Sequence, residues 1–174
     1  MNSRTIVVVA CFLIAGSLES CMKAPAVDDR PARNTAIMMK AYDVFMGGNV
    51  NMLDSLIARD MVEHNPVPGI TSTGLAAVKE FAMMYKTAFP DMKVHYTKVM
   101  ADSEYVIVYY TMTGTNTGPM MGMAACNKPV TVDGVDLVRI KDGLCVEHWG
   151  ISDEMTMMKQ LGMMPQHDMA DMKH

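Results

Sequence analysis

The sequence contains no run of lysine or arginine, and its formal net charge is -4 over 174 residues. Nothing in it would neutralise a phosphate backbone, which excludes nucleic acid as a partner. No apolar stretch reaches the roughly 18 to 20 residues of a spanning helix, so contact with a membrane would come only through a lipid anchor. Aromatic residues are scarce, at 6% with a single tryptophan, and methionine, present 22 times, takes up much of the apolar share. Internal repeats and low-complexity blocks are missing. The spacings C-x-x-C and H-x-x-x-H are missing too, which removes common zinc frameworks. What is there, half the residues apolar and 20% charged, is the composition of one globular domain rather than of a disordered chain.

Residues 1–20 read as an export signal. Arg4 precedes an apolar run from Ile6 to Ala15, and Leu18-Glu19-Ser20-Cys21 resembles a bacterial lipobox, with a small residue just before a thiol that can carry lipid. Lipidation at Cys21 would place the protein in the periplasm or cell envelope of a bacterium. Residues 21–34, with Pro25, Asp28, Asp29, Arg30 and Pro31, lack an apolar period and read as a tether. The domain then spans 35–165, and 166–174 form a polar tail. Cys126 and Cys145 fall within the domain, and either two separate thiols or a disulfide fits their placement.

Helical spacing of Met38, Tyr42 and Phe45 predicts a first helix stopped by Gly47-Gly48. Asn49 can cap a short second helix burying Met52, Leu53, Leu56 and Ile57, and Met61 to His64 can form a brief strand. Thr73 can cap a third helix carrying Leu75, Val78, Ala82, Tyr85 and Phe89. The period then changes. Val94 to Met100 and Tyr105 to Met112 read as a hairpin, as do Pro129 to Lys141 and Leu144 to Ile151 around Asp142-Gly143, the strongest hairpin signal in the chain. A final helix carries Met155, Met158 and Leu161 and stops at Gly162. Helices followed by long antiparallel strands predict an α+β domain in which a curved sheet wraps over helices and encloses a pocket for a small molecule.

The most specific local sequence is Gly134 to Gly143, followed by Glu147-His148-Trp149-Gly150-Ile151-Ser152-Asp153 and Gln160-Leu161-Gly162. Earlier markers are Phe45, Gly48-Asn49-Val50, Val62 to Pro66, and Ala88-Phe89-Pro90-Asp91. Together these resemble the SnoaL-like polyketide cyclases, also called ester cyclases, of the NTF2-like superfamily, over about Thr35 to Pro165. The resemblance implies a cone-shaped α+β barrel with an internal cavity that works without metal or cofactor. It also implies a general acid/base at Asp153, a pocket histidine at His64, and a homodimer formed through the outer face of the sheet. Export departs from the family pattern, since polyketide cyclases work beside cytosolic synthases.

Read from the residues themselves, Asp153 either caps the last helix or acts as a base in a partly apolar cavity. His64 either ends a strand or polarises a substrate carbonyl. Trp149 and His148 point to opposite sides of one strand, and Trp149 is the better pocket wall, which leaves His148 on the outer face. Asp136 is a mid-strand carboxylate that needs a partner if it faces the pocket, and Arg139 lies on the other side of its strand. Tyr42, Phe45 and Tyr109 are core residues of which one can face ligand.

Glu63-His64 and Glu147-His148 offer oxygen and nitrogen ligands, but neighbours on a strand point apart, so each pair gives only one ligand to a shared metal. The methionines, above all Met120-Met121-Gly122-Met123 and the tail with His167 and His174, suit Cu(I), but a pliable core or pocket lining is the favoured reading of them. The leading expectation is an acid/base cyclase, isomerase or hydrolase acting on a small apolar or carbonyl-containing molecule, with no cofactor. The alternatives are a non-enzymatic ligand-binding lipoprotein and a periplasmic Cu(I)-binding protein. A carboxylate–histidine pair facing open space favours the enzyme, and a cavity without convergent polar groups favours the binder.

Overall fold

The computed structural model describes residues 27–163. The export signal, Cys21 and the polar tail from Gln166 with its copper-ligand candidates lie outside the described residues. Helix α1 runs Arg30–Phe45, five residues earlier than the apolar period suggests. Pro31 stands in its first turn, where a missing N–H costs nothing. Asn34 is buried and donates from Nδ2 to the carbonyl of Asp102 at 3.2 Å. From Arg30 onward the tether expectation is therefore corrected: these residues belong to the domain.

A 3-10 turn, Val50–Ser55, is capped by Asn49, whose side chain accepts from the Asn51 amide. Strand β1, Ile57–Glu63, is longer than the brief strand expected. Helix α2 is Gly74–Ala88, and the Thr73 hydroxyl makes no cap hydrogen bond. Four long strands follow: β2 Lys93–Ala101, β3 Tyr105–Thr115, β4 Pro129–Lys141 and β5 Leu144–Ser152. Helix α3, Glu154–Leu161, ends at Gly162 in the left-handed conformation. The Asp142-Gly143 turn has both residues at positive φ, 52° and 82°, as a tight two-residue hairpin requires.

The five strands form one sheet in the order β1-β5-β4-β3-β2. All neighbours are antiparallel except β1 and β5, which run parallel. One face is buried: Val106, Val108 and Met112 of β3 and Val130, Val132, Val138 and Ile140 of β4 alternate inward, as a period of two demands. Val106, Val108, Val138 and Ile140 meet Met38, Ala41, Tyr42 and Val44 of α1 and Leu75 and Ala82 of α2 in one apolar core. Phe89, Met112, Met120, Val132, Met157 and Leu161 form a second cluster toward α3. Cys126 and Cys145 are separate thiols, and Cys145 is buried.

Two register shifts shape the site: one between Ile57 and Val62 where β1 meets β5, the other within the β4–β5 hairpin. Near the turn, Ile140 faces Cys145 and Lys141 faces Leu144, but farther along Arg139 faces Glu147 and Val138 faces His148. β5 therefore carries one extra residue, a bulge at Val146. A one-residue slip exchanges the two faces of a strand. Without it Glu147 and Trp149 would share the face of Val138 and Asp136; with it His148 and Gly150 do.

Candidate active site

Between the helices and the inner face of the sheet lies a cavity of about 600 Å³, within the range of small-molecule sites. Its walls are mainly apolar, including Met38, Phe45, Met61, Phe81 and Val138. Polar groups converge where Asp136 of β4, His148 of β5 and Glu63 of β1 meet, with Tyr42 of α1 beside them. The register places them: Glu63 pairs laterally with His148, and Asp136 pairs with Gly150, two residues farther along β5.

His148 Nδ1 lies 2.6 Å from Glu63 Oε2, and Nε2 lies 3.6 Å from Asp136 Oδ1. The ring reaches Asp136 by leaning across Gly150, where an added Cβ would stand 2.8 Å from His148 Cε1. Gly134 does the same for Tyr110, whose ring an added Cβ would meet at 2.5 Å. The Tyr42 hydroxyl donates to Asp136 Oδ2 at 2.5 Å, and its ring packs edge-on against Tyr96 and Tyr110. Burial opposes the His148 imidazolium, but the flanking carboxylates of Asp136 and Glu63 outweigh it and push the pKa up to about 9. Burial, with the Asp136 charge, holds the Tyr42 and Tyr110 phenols far above the usual range and so un-ionised. At neutral pH the cluster is an imidazolium whose Nδ1 is committed to Glu63 and whose Nε2 lies beside a carboxylate beyond normal hydrogen-bond range. It can donate a proton from Nε2 and accept one at Asp136.

The structure puts Tyr42, Phe45 and Asp136 on the cavity wall. It moves four other candidates elsewhere. Asp153 is exposed at the N-cap of α3, its carboxylate accepting from the Thr156 amide at 2.9 Å and hydroxyl at 2.7 Å, and these bonds lower its pKa. The cap reading holds, and the expected cavity carboxylate is Asp136 instead. Trp149 and His64 stack on the outer face, ring centroids 4.1 Å apart and planes 1° from parallel. There His64 Nε2 pairs with Glu147 Oε2 at 3.0 Å, and Arg139 holds the other Glu147 oxygen at 2.6 Å. The bulge is the physical reason for Trp149; His64 faces outward because it follows Glu63, whose side chain faces the cavity. Tyr109 also faces outward, 3.4 Å from Asp133 Oδ2, while its neighbour Tyr110 faces in.

Sequence reasoning missed His148, Glu63, Tyr110 and Gly150 as site residues. A signal existed for Tyr110: Thr111 and Thr113 mark the odd positions of β3 as solvent-facing, which turns the even positions inward. No local signal marks the bulge. Met120 is packed in the core and Met121 lines the cavity, so part of the loop methionine cluster serves packing.

A curved five-stranded sheet closed by helices around a cavity with convergent polar groups at one end defines a cyclase-type, NTF2-like α+β fold. The model of the SnoaL-like polyketide cyclase family matches residues 36–161, most of the chain. The chain belongs to that family. Among solved structures, the candidate SnoaL-like polyketide cyclase of Jannaschia sp. CCS1 superposes with a TM-score of 0.69 at 18% identity, covering 81% of this chain and 99% of its own. IdmH, a candidate polyketide cyclase of Streptomyces antibioticus, gives 0.63 at 26% identity over 74% of this chain and 98% of its own. TsrD of Streptomyces laurentii gives 0.63 at 20% identity over 74% and 97%. No curated protein matches the chain.

Proposed function

We propose that the cavity is an active site for cofactor-independent acid/base chemistry on a small carbonyl compound, and that ring closure by an aldol-type step is the reaction its groups suit best. The observation that carries this reading is the His148 imidazolium held between Glu63 and Asp136 at one end of an otherwise apolar cavity. Asp136 takes a proton from the carbon beside one carbonyl. That carbon attacks a second carbonyl of the same molecule, and His148 Nε2 gives its proton to the oxygen as the new C–C bond forms and C=O becomes C–OH. The proton on Asp136 then passes to His148. Substrate and product are isomers, so the balance needs no co-reactant. Tyr42 occupies Asp136 Oδ2 and leaves Oδ1 as the freer oxygen, while Glu63 fixes the imidazole ring. These convergent groups favour an enzyme over a carrier.

The test is deuterium uptake at C1 of 2-tetralone in D2O, followed by NMR with the full chain. Wild type accelerates exchange, and Asp136→Asn loses about 100-fold or more of that acceleration, the usual scale of general-base catalysis, while still binding the ketone. Exchange that survives Asp136→Asn in a folded, ketone-binding variant refutes the assignment. Export with a lipid anchor at Cys21 and pairing of two copies belong to the same proposal. Support for pairing comes from the outer face, where Tyr109, Val135 and Ile151 are exposed by 38%, 38% and 67%, a strip of apolar surface on neighbouring strands.

A further inference from the structure

We propose that the cavity selects its ligand by charge, admitting neutral and cationic apolar molecules and turning anions away. This deepens the acid/base reading and rests on the same cavity being the binding site. The described side chains that line it include four carboxylates and one imidazole, but neither lysine nor arginine. Two of the carboxylates stand at the solvent-facing rim, where Asp60 of β1 and Glu154 at the head of α3 are both exposed. The other two, Glu63 and Asp136, lie inside and already occupy both sides of His148, at 2.6 and 3.6 Å.

An entering anion therefore passes two like charges, leaves water for an apolar wall, and finds the one cationic group already countered. Burying an unpaired carboxylate in such surroundings is strongly unfavourable. A neutral carbonyl escapes that cost and can accept from His148 Nε2. A cation gains from the same acidic rim and from the aromatic rings of Phe81, Tyr85 and Tyr110 along the wall. The selection is thus against free acids, phosphates and sulfates and for ketones, esters, amides and amines of the same skeleton.

Three probes of one bicyclic shape test this at pH 7 and low salt: 2-acetylnaphthalene, 2-naphthylmethylamine and 2-naphthoate. Binding to the full chain is measured by titration while the NMR signals of the His148 ring are followed, so that only occupancy of the cavity counts. The ketone and the amine bind at least tenfold more tightly than the naphthoate, and the gap narrows in the Asp60→Asn/Glu154→Gln double variant. Naphthoate that binds as tightly as the ketone overturns the proposal, as does a ketone that leaves the His148 signals unmoved. An unchanged gap in the double variant overturns the role of the rim. Failure here leaves exchange of 2-tetralone by wild type intact, whereas loss of exchange with selection preserved overturns the acid/base reading alone.

Discussion

The protonation of His148 can be read from the pH dependence of stability. In the unfolded chain its imidazole titrates near 6.5, and in the fold the pKa rises to about 9. At about 1.4 kcal/mol for each pH unit this amounts to about 3 kcal/mol of coupling between charge and fold. Because 27% of the side chain is exposed, water screens part of it, and about 2 kcal/mol is the working figure. The folded pKa is the higher one, so this stability is fully present below pH 6.5, declines as pH rises, and is gone above about 9. Urea unfolding of wild type at pH 6, 7, 8 and 9 should therefore show the loss, and His148→Gln should lack that part of the slope. Comparison of the two isolates the part of the slope that belongs to His148. The Cys145 thiol, pushed up to about 12 by burial, adds its own loss only above pH 9, outside the window. Direct titration of the imidazole by NMR in wild type gives a midpoint well above 7 if the carboxylates hold the charge. A midpoint at or below 6.5 refutes the reasoning and leaves the proposed reaction without a proton donor at neutral pH.

Gly150→Ala should place a methyl group 2.8 Å from His148 Cε1; the ring must move outward, lowering its NMR midpoint and cutting 2-tetralone exchange by about 100-fold, at a stability cost of about 1 to 3 kcal/mol by urea unfolding. Unchanged exchange and an unchanged midpoint would show that the glycine gap does not set the ring. Asp153→Ala should lower the thermal midpoint through loss of the cap on Thr156 yet leave exchange and ketone binding as they were; a collapse of exchange with the fold intact would return the acid/base role to this residue. Cys21→Ser should release the protein from the membrane fraction of a bacterial host, and a variant that still sediments with membranes would sink the anchor.

Much of this molecule is legible without coordinates. The period of the apolar residues marks α2 and α3, the Asp142-Gly143 turn fixes the β4–β5 hairpin, and the run from Gly134 through Gln160-Leu161-Gly162 carries the family resemblance. Local chemistry determines these: side-chain periodicity, capping and the positive φ of a tight turn act over a few residues each. Asp136 was recognisable as a mid-strand carboxylate in need of a partner, and the strands around it as one wall of a pocket.

The partner itself was decided by the tertiary structure. Counting back from the Asp142-Gly143 turn in regular register sets Trp149 opposite Asp136 and turns His148 to solvent, and only the extra residue at Val146 reverses this. A bulge costs one unpaired residue and leaves no mark in composition or spacing, yet it exchanges every side chain beyond it between the two faces. Glu63 reaches His148 only because β1 joins the sheet beside β5, a parallel pairing between segments more than eighty residues apart. Sequence determined the elements and the inward-facing apolar residues, because those follow from the chain's own periodicity. Which polar side chains meet in the cavity followed from strand order and local register shifts, because proximity between distant segments exists only once the sheet has formed.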